Sequence, residues 1–122
     1  LEIADTDWTT WRADNARSDA TDNTIPDGIQ LAWRADICRS ELPTAPVAAG
    51  GLVFIADRTG VVRAIDGEGT TVWKAYTAGP VYYPPSIWNG RVFVGLPMAV
   101  FTHSPHAPVD DCGRFEWPRR IG

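Results

Sequence analysis

Pro46-Val47-Ala48-Ala49-Gly50-Gly51-Leu52-Val53-Phe54-Ile55-Ala56-Asp57-Arg58-Thr59-Gly60-Val61-Val62-Arg63-Ala64-Ile65-Asp66-Gly67-Glu68-Gly69-Thr70-Thr71-Val72-Trp73 is the stretch from which the architecture follows. Its apolar runs are short, and they end at glycine pairs or Asp-x-x-Gly groups, which form turns. Gly50-Gly51 supplies the positive φ of a tight hairpin. The stretch predicts four strands: Thr44 to Ala48, interrupted by Pro46; Leu52 to Ala56; Val61 to Ile65; and Thr70 to Tyr76 with Trp73. Alternation sets Arg63 opposite in sense to Val62 and Ala64. Much of this then recurs. Pro46, Gly51, Val53 and Phe54 return 39 residues later as Pro85, Gly90, Val92 and Phe93. Leu31-Ala32-Trp33-Arg34-Ala35 is echoed 40 residues later by Thr71-Val72-Trp73-Lys74-Ala75.

Working outward, the second unit begins at Gly79-Pro80. Val81 to Ile87 matches the first strand, Asn89-Gly90 is a strong hairpin signal, and Arg91 to Gly95 matches the second strand. Upstream, Gln30 to Arg34 reads as a strand bearing Trp33. Residues 1–29 are polar and turn-rich, without a clear period, and read as a lead-in loop with one short helical turn. Trp8 and Trp11 are expected to pin it to the domain. The division is therefore lead-in 1–29, repeats 30–95 and an atypical tail 96–122. The tail shows no recognisable element, although the repeat should continue there as Ser-x-Asp-Gly-x-Val-Tyr-Ala. The genetic code offers a reason. The codons of Met98-Ala99 contain a forced glycine in the neighbouring frame, those of Trp117-Pro118 force an alanine, and Asp111-Cys112-Gly113 permits Leu-Trp. A single-base loss near Gly95 would thus put the tail out of frame.

A repeat of about 40 residues with short strands and glycine turns has the form of a β-propeller blade, and rings close with about 4–8 blades. A chain of 122 residues holds about one and a half. The expected fold is all-β: a partial propeller of four-stranded antiparallel blades behind a polar lead-in. In detail the residues resemble the pyrroloquinoline-quinone-type (PQQ-like) propeller repeats, also called tryptophan-docking-motif blades. The resemblance covers about residues 5–95. It rests on Pro46, Gly51, Val53-Phe54-Ile55, Asp57-Arg58-Thr59-Gly60, Val62-Arg63-Ala64-Ile65-Asp66, Gly69 and Trp73, with Trp33, Pro85 and Gly90 in matching places. The segment between Asp66 and Trp73 is one residue shorter than that family's usual pattern. Asp7-Trp8-Thr9-Thr10-Trp11-Arg12-Ala13-Asp14-Asn15-Ala16-Arg17 looks like the lead-in before a first blade. The resemblance implies that the Trp33 strand closes the ring against the last blade. It also implies that Ala64 lies under a neighbouring blade's indole, with Trp73 stacking between blades. The partners implied are the remaining blades of a longer bacterial protein, together with a protein or small-molecule ligand. Such propellers are mostly exported, to the periplasm or cell envelope. Some serve outer-membrane assembly, and others are fused to signalling kinases. Two units alone leave open strand edges and lack neighbour interfaces, so the isolated piece is expected to be weakly stable.

The formal net charge is -4, from 15 acidic and 11 basic residues, which argues against a general binder of nucleic acid or anionic membranes. No run approaches the ~20 apolar residues of a membrane helix. Ten of the 11 basic residues are Arg, consistent with a GC-rich coding sequence. Cys38 and Cys112 could form one disulfide in an oxidising compartment or remain thiols. His103 and His106 with Asp110, Asp111 and Cys112 have the residue types of a metal cluster. Pro105 and Pro108 oppose the helix that would bring two such histidines together, so no metal site is assigned. A quinoprotein dehydrogenase is the enzymatic alternative. By resemblance it would hold PQQ and calcium with acidic and amide side chains and an aspartate base. The acidic residues available are Asp36, Asp57 and Asp66, of which Asp57 and Asp66 fall in repeat turns where Asp bonds local backbone. No adjacent cysteine pair and no cofactor-site motif occurs, so no catalytic or cofactor-binding residue is assigned. A third alternative is a Trp-rich carbohydrate-binding module using Tyr76, Tyr82, Tyr83 and Trp88. The reading adopted is a binding and interaction scaffold without catalysis of its own.

Overall fold

A computed structural model describes residues 1–35 and 40–97, together with the strand backbone of 99–103. The described chain is all-β, with no helix. The first sheet contains β1 (Val47–Ala49), β2 (Leu52–Ala56), β3 (Val61–Ile65) and β4 (Thr71–Tyr76), paired antiparallel in that order. The second contains β5 (Ser86–Trp88), β6 (Arg91–Leu96) and β7 (Ala99–His103), again antiparallel in sequence order. Neither sheet is closed.

The turns explain the strand bounds. Gly50 and Gly51 have φ of 58° and 75°, and Asn89 and Gly90 have φ of 48° and 69°. Both pairs thus occupy the left-handed region at both central positions, as two-residue hairpins that match strand twist require. At the other end of each hairpin proline decides. Pro46 has no N–H for the ladder, so β1 starts at Val47 rather than at Thr44. Pro84 and Pro85 likewise hold β5 to Ser86–Trp88, shorter than the Val81 to Ile87 run.

Strand register sorts the side chains into faces. Val47 pairs with Phe54, Phe54 with Ala64, and Ala64 with Trp73. These residues, with Ala49, Ala56, Val62 and Ala75, therefore share one face. All are buried, and they join Val81, Ile87, Val92 and Val94 in a single core. The two sheets thus pack face to face, with β1 against β5. β4 carries an irregularity opposite Ala64 and Ile65, which pair with Trp73 and Thr71 and leave Val72 unmatched. It falls in the segment already noted as one residue short.

Several expectations need correction. Residues 30–34 are not a strand: they lie without ladder partners, and Leu31 is largely exposed. The lead-in contains no helical turn. It instead makes isolated bridges, Trp8 with Ala48 and Thr10 with Ala13. Trp8 pins the lead-in as expected, through its carbonyl, which accepts from Ala48 N–H at 2.7 Å. Trp11 does not; it is half exposed, with the guanidinium groups of Arg12 and Arg17 at 5.7 and 5.2 Å from its ring. The tail is not featureless at its start. β6 runs through Leu96, and β7 pairs with it from Leu96↔Ala99 to Val92↔His103. Val100, Phe101 and Thr102 are good strand formers, and a strand edge was there to receive them. Among the described residues no helix is long and apolar enough to cross a membrane.

Candidate functional site

The two hairpins β1–β2 and β5–β6 superimpose in register. Val47↔Phe54, Ala48↔Val53 and Ala49↔Leu52 become Ser86↔Phe93, Ile87↔Val92 and Trp88↔Arg91, each residue moved by 39 positions. The lead-in treats them alike. Trp8 C=O accepts from Ala48 N–H, and the next carbonyl, Thr9, accepts from Ile87 N–H at 2.7 Å. The Thr10 and Ser86 hydroxyls add a hydrogen bond of 3.0 Å. The lead-in therefore stitches the outer edges of β1 and β5 together at equivalent residues.

Both Asp-x-x-Gly turns are held by their aspartate. Asp57 Oδ1 accepts from Thr59 N–H at 2.9 Å and Val61 N–H at 3.3 Å. Asp66 Oδ1 accepts from Glu68 N–H at 3.0 Å and Thr70 N–H at 2.8 Å. This is the local-backbone role such aspartates commonly take. They differ in depth. Asp57 is 1% exposed, and its Oδ2 accepts from Arg63 Nη1 at 2.6 Å, with Arg63 itself 5% exposed. Burial pushes the Asp57 carboxyl up, but hydrogen bonds from Thr59, Arg63 and Val61 outweigh it and hold it below the ordinary carboxylate range. The Asp57 carbonyl also accepts from Val81 N–H at 3.2 Å, which ties the turn to the start of the second unit.

The sequence set Arg63 opposite in sense to Val62 and Ala64 but assigned it no partner. β3 is buried throughout. A signal was present: Ile55 pairs with Arg63, so Asp57, two residues on, lies on Arg63's side across the hairpin.

The tryptophans divide by role. Trp73 is buried and meets Phe54 edge-on, with ring centroids 6.4 Å apart. Ala64 is its ladder partner, and both belong to the core that joins the two sheets. Trp33 makes the contact between distant segments. A Cβ on Gly69, whose φ is 86°, would stand 3.0 Å from the Trp33 ring, so only glycine lets the indole lie this close. Trp88 and Phe93 pair at 6.3 Å on the opposite side of the second sheet from the core. Trp88 is 68% exposed, and Tyr76, Tyr82 and Tyr83 are also open to solvent. Arg58 covers Tyr82 at 5.1 Å.

Beside β1 lies a largely apolar groove of about 530 Å³, lined by Trp8, Trp11, Ala45, Pro46, Val47, Ala48 and Val53 together with the paired Arg12 and Asp19. A second, polar hollow of about 340 Å³ lies within the lead-in, among Asp5, Asp7, Asp14 and Asp22. There Asp14 is occupied by Ser18, and Asp7 by Ala4 and Gly50 N–H.

The Asp57 carboxylate is committed to its own turn and Arg63, and Asp66 to its turn. Among the described residues no group of three His, Cys, Asp or Glu side chains converges. Asp36, Cys38, His106, Asp110, Asp111 and Cys112 lie outside the described residues, and His103 is described only as strand backbone. What this arrangement offers chemically is apolar and aromatic contact surface. Neither a protein-family model nor a curated protein matches the chain.

Proposed function

We propose that the chain is a section of a PQQ-like propeller repeat protein, acting as a scaffold for binding and interaction without catalysis of its own. The register match between β1–β2 and β5–β6 carries this reading, because it makes the two sheets successive copies of one unit stacked in one direction. The seat of Trp33 on Gly69 supports it: Trp33 belongs to the preceding unit by its spacing and lies on a turn of the next. Further units of the same kind would cover the outer faces. By the same resemblance the full protein belongs to the bacterial periplasm or cell envelope.

The dehydrogenase alternative is tested by dye reduction with full-length protein supplied with PQQ and calcium. No reduction is expected, and cofactor-dependent turnover would overturn the scaffold reading. The exposed Tyr76, Tyr82, Tyr83 and Trp88 favour one second reading, a carbohydrate surface, since open aromatic rings stack on sugar faces. Calorimetric titration with soluble oligosaccharides, compared between the parent chain and Trp88→Ala, tests it. Binding that Trp88→Ala abolishes would establish sugar recognition at this face.

A further inference from the structure

Where the lead-in passes β1 it forms a closed loop, and that loop supplies part of the groove's lining. Arg12 and Asp19 stand at its two ends. The Asp19 N–H donates to the Arg12 carbonyl at 3.3 Å, and Asp19 Oδ2 accepts from both Arg12 Nε, at 2.6 Å, and Arg12 Nη2. Between them the Asp14 carboxylate accepts from the Ser18 N–H and hydroxyl, and the Asp14 carbonyl from Arg17 N–H at 3.1 Å. Arg12, Ala13, Arg17 and Asp19 all have φ between 54° and 75°, the left-handed region that residues with a Cβ enter at a cost. Strain of this kind persists only where the surroundings over-determine it, as they do in ligand clamps.

What the loop presents to the groove is a donor and an acceptor beside two indoles. A volume of about 530 Å³ falls among small-molecule sites, which are mostly apolar with a few fixed polar groups. Trp8 and Trp11 supply rings, Ala48 and Val53 apolar strand surface, and Arg12 with Asp19 the polar part. That pair is about half exposed and consumes only Asp19 Oδ2 and the Nε and Nη2 groups of Arg12. Asp19 Oδ1 and Arg12 Nη1 make no hydrogen bond among the described residues. One accepts and the other donates, which matches adjacent hydroxyls of a sugar ring, while the indoles match its C–H face. The two charges offset each other, so the ligand that fits is neutral.

The space is compatible with neighbouring units. Ala48 stands where the second sheet carries the larger Ile87, which is buried against the first sheet. A further unit covering the first sheet in the same manner would leave room beside Ala48.

We propose that this groove binds a neutral sugar residue, with its C–H face against Trp8 and Trp11 and two adjacent hydroxyls on Arg12 and Asp19. The site uses none of Tyr76, Tyr82, Tyr83 and Trp88, so it is distinct from the carbohydrate surface considered above, and it does not rest on the repeat reading.

Calorimetric titration of the 122-residue chain with soluble neutral oligosaccharides of glucose, xylose and N-acetylglucosamine, with tryptophan emission followed in parallel, tests this. At least one is expected to bind and to shift the emission. Variants checked for retained β-sheet circular dichroism then locate the site. Trp11→Ala should weaken binding at least about tenfold, as loss of an aromatic anchor does. Ala48→Ile gives β1 the residue that β5 carries at the equivalent place, so it should fold normally and weaken binding by filling the groove. If Trp11→Ala fails to fold, Ala48→Ile decides alone. No binding by any of these sugars, or binding that either folded groove variant leaves unchanged, overturns the site. Binding lost in Trp88→Ala and kept in Trp11→Ala also overturns it, and assigns sugar recognition to the other aromatic face.

Discussion

The two sheets are built on the same hairpin and treat it in opposite ways. In the first, the side holding Phe54 is sealed, and the side holding Val53 is half open at β1 and β2 but buried at β3. In the second, the side holding Val92 is sealed and the side holding Phe93 is half open. Residues of the same type at equivalent ladder positions thus differ in environment solely because of which neighbour is present. In these two hairpins burial follows which neighbour covers a face rather than residue type.

The sharpest way to break this comparison is to truncate equivalent phenylalanines. Phe54→Ala removes a fully buried ring and should cost about 3–5 kcal/mol. Phe93→Ala should cost well under half of that. Urea unfolding of both variants checks it, and equal losses would mean that the faces are not distinguished. The buried ion pair comes next, because it exists only in the first sheet; the position equivalent to Asp57 is Leu96. Asp57→Ala removes the carboxylate to which Arg63 Nη1 donates, breaking a buried ion pair, and should cost about 3–5 kcal/mol. Replacing Asp57 and Arg63 together by apolar residues should recover most of that loss, so the double variant separates charge burial from packing.

A smaller effect is expected at the glycines. Gly90→Ala introduces left-handed strain alone, about 1–2 kcal/mol, since its Cβ would come no nearer than 3.5 Å to Leu1. Gly69→Ala adds the collision with Trp33, so it should be the more costly of the two and should shift Trp33 emission to the red. The mildest effect is the acid response. The Asp57 carboxyl is held low in the folded chain, so its contribution is complete above the unfolded carboxyl value of about 3.9 and is lost as pH falls through the lower folded value. The urea midpoint should decline in that acid window, and Asp57→Asn should flatten the decline. Arg12 and Asp19, also paired, are surface groups and should contribute little.

The comparison also shows what the sequence could disclose. The hairpins were legible because Gly50-Gly51 and Asn89-Gly90 demand one kind of turn, and Leu52–Ala56 and Val61–Ile65 because β-prone runs stop at those turns. Residues 30–34 misled, since Trp33 and its neighbours have strand composition but no ladder beside them; propensity cannot supply a partner. Arg63 misled for a related reason. Alternation separates Arg63 from Val62 and Ala64, yet the sheet's second side is covered at β3, and the Asp57 carboxylate makes the guanidinium tolerable there. β7 was passed over because residues 96–122 show no recognisable repeat element, yet Val100, Phe101 and Thr102 are strand formers that pair with β6. The groove at Trp8 and Trp11 could not be foreseen at all, as it depends on where the lead-in crosses β1.

Hydroxyl-radical footprinting of the dilute chain, read residue by residue in mass spectrometry, tests the central claim most directly. Reciprocal burial predicts protection at Phe54, Ile87, Val92 and Val94, with modification at Trp88, Phe93, Val53 and Ile55. Equal labelling of Phe54 and Phe93, or protection of Trp88 in the monomer, would contradict it.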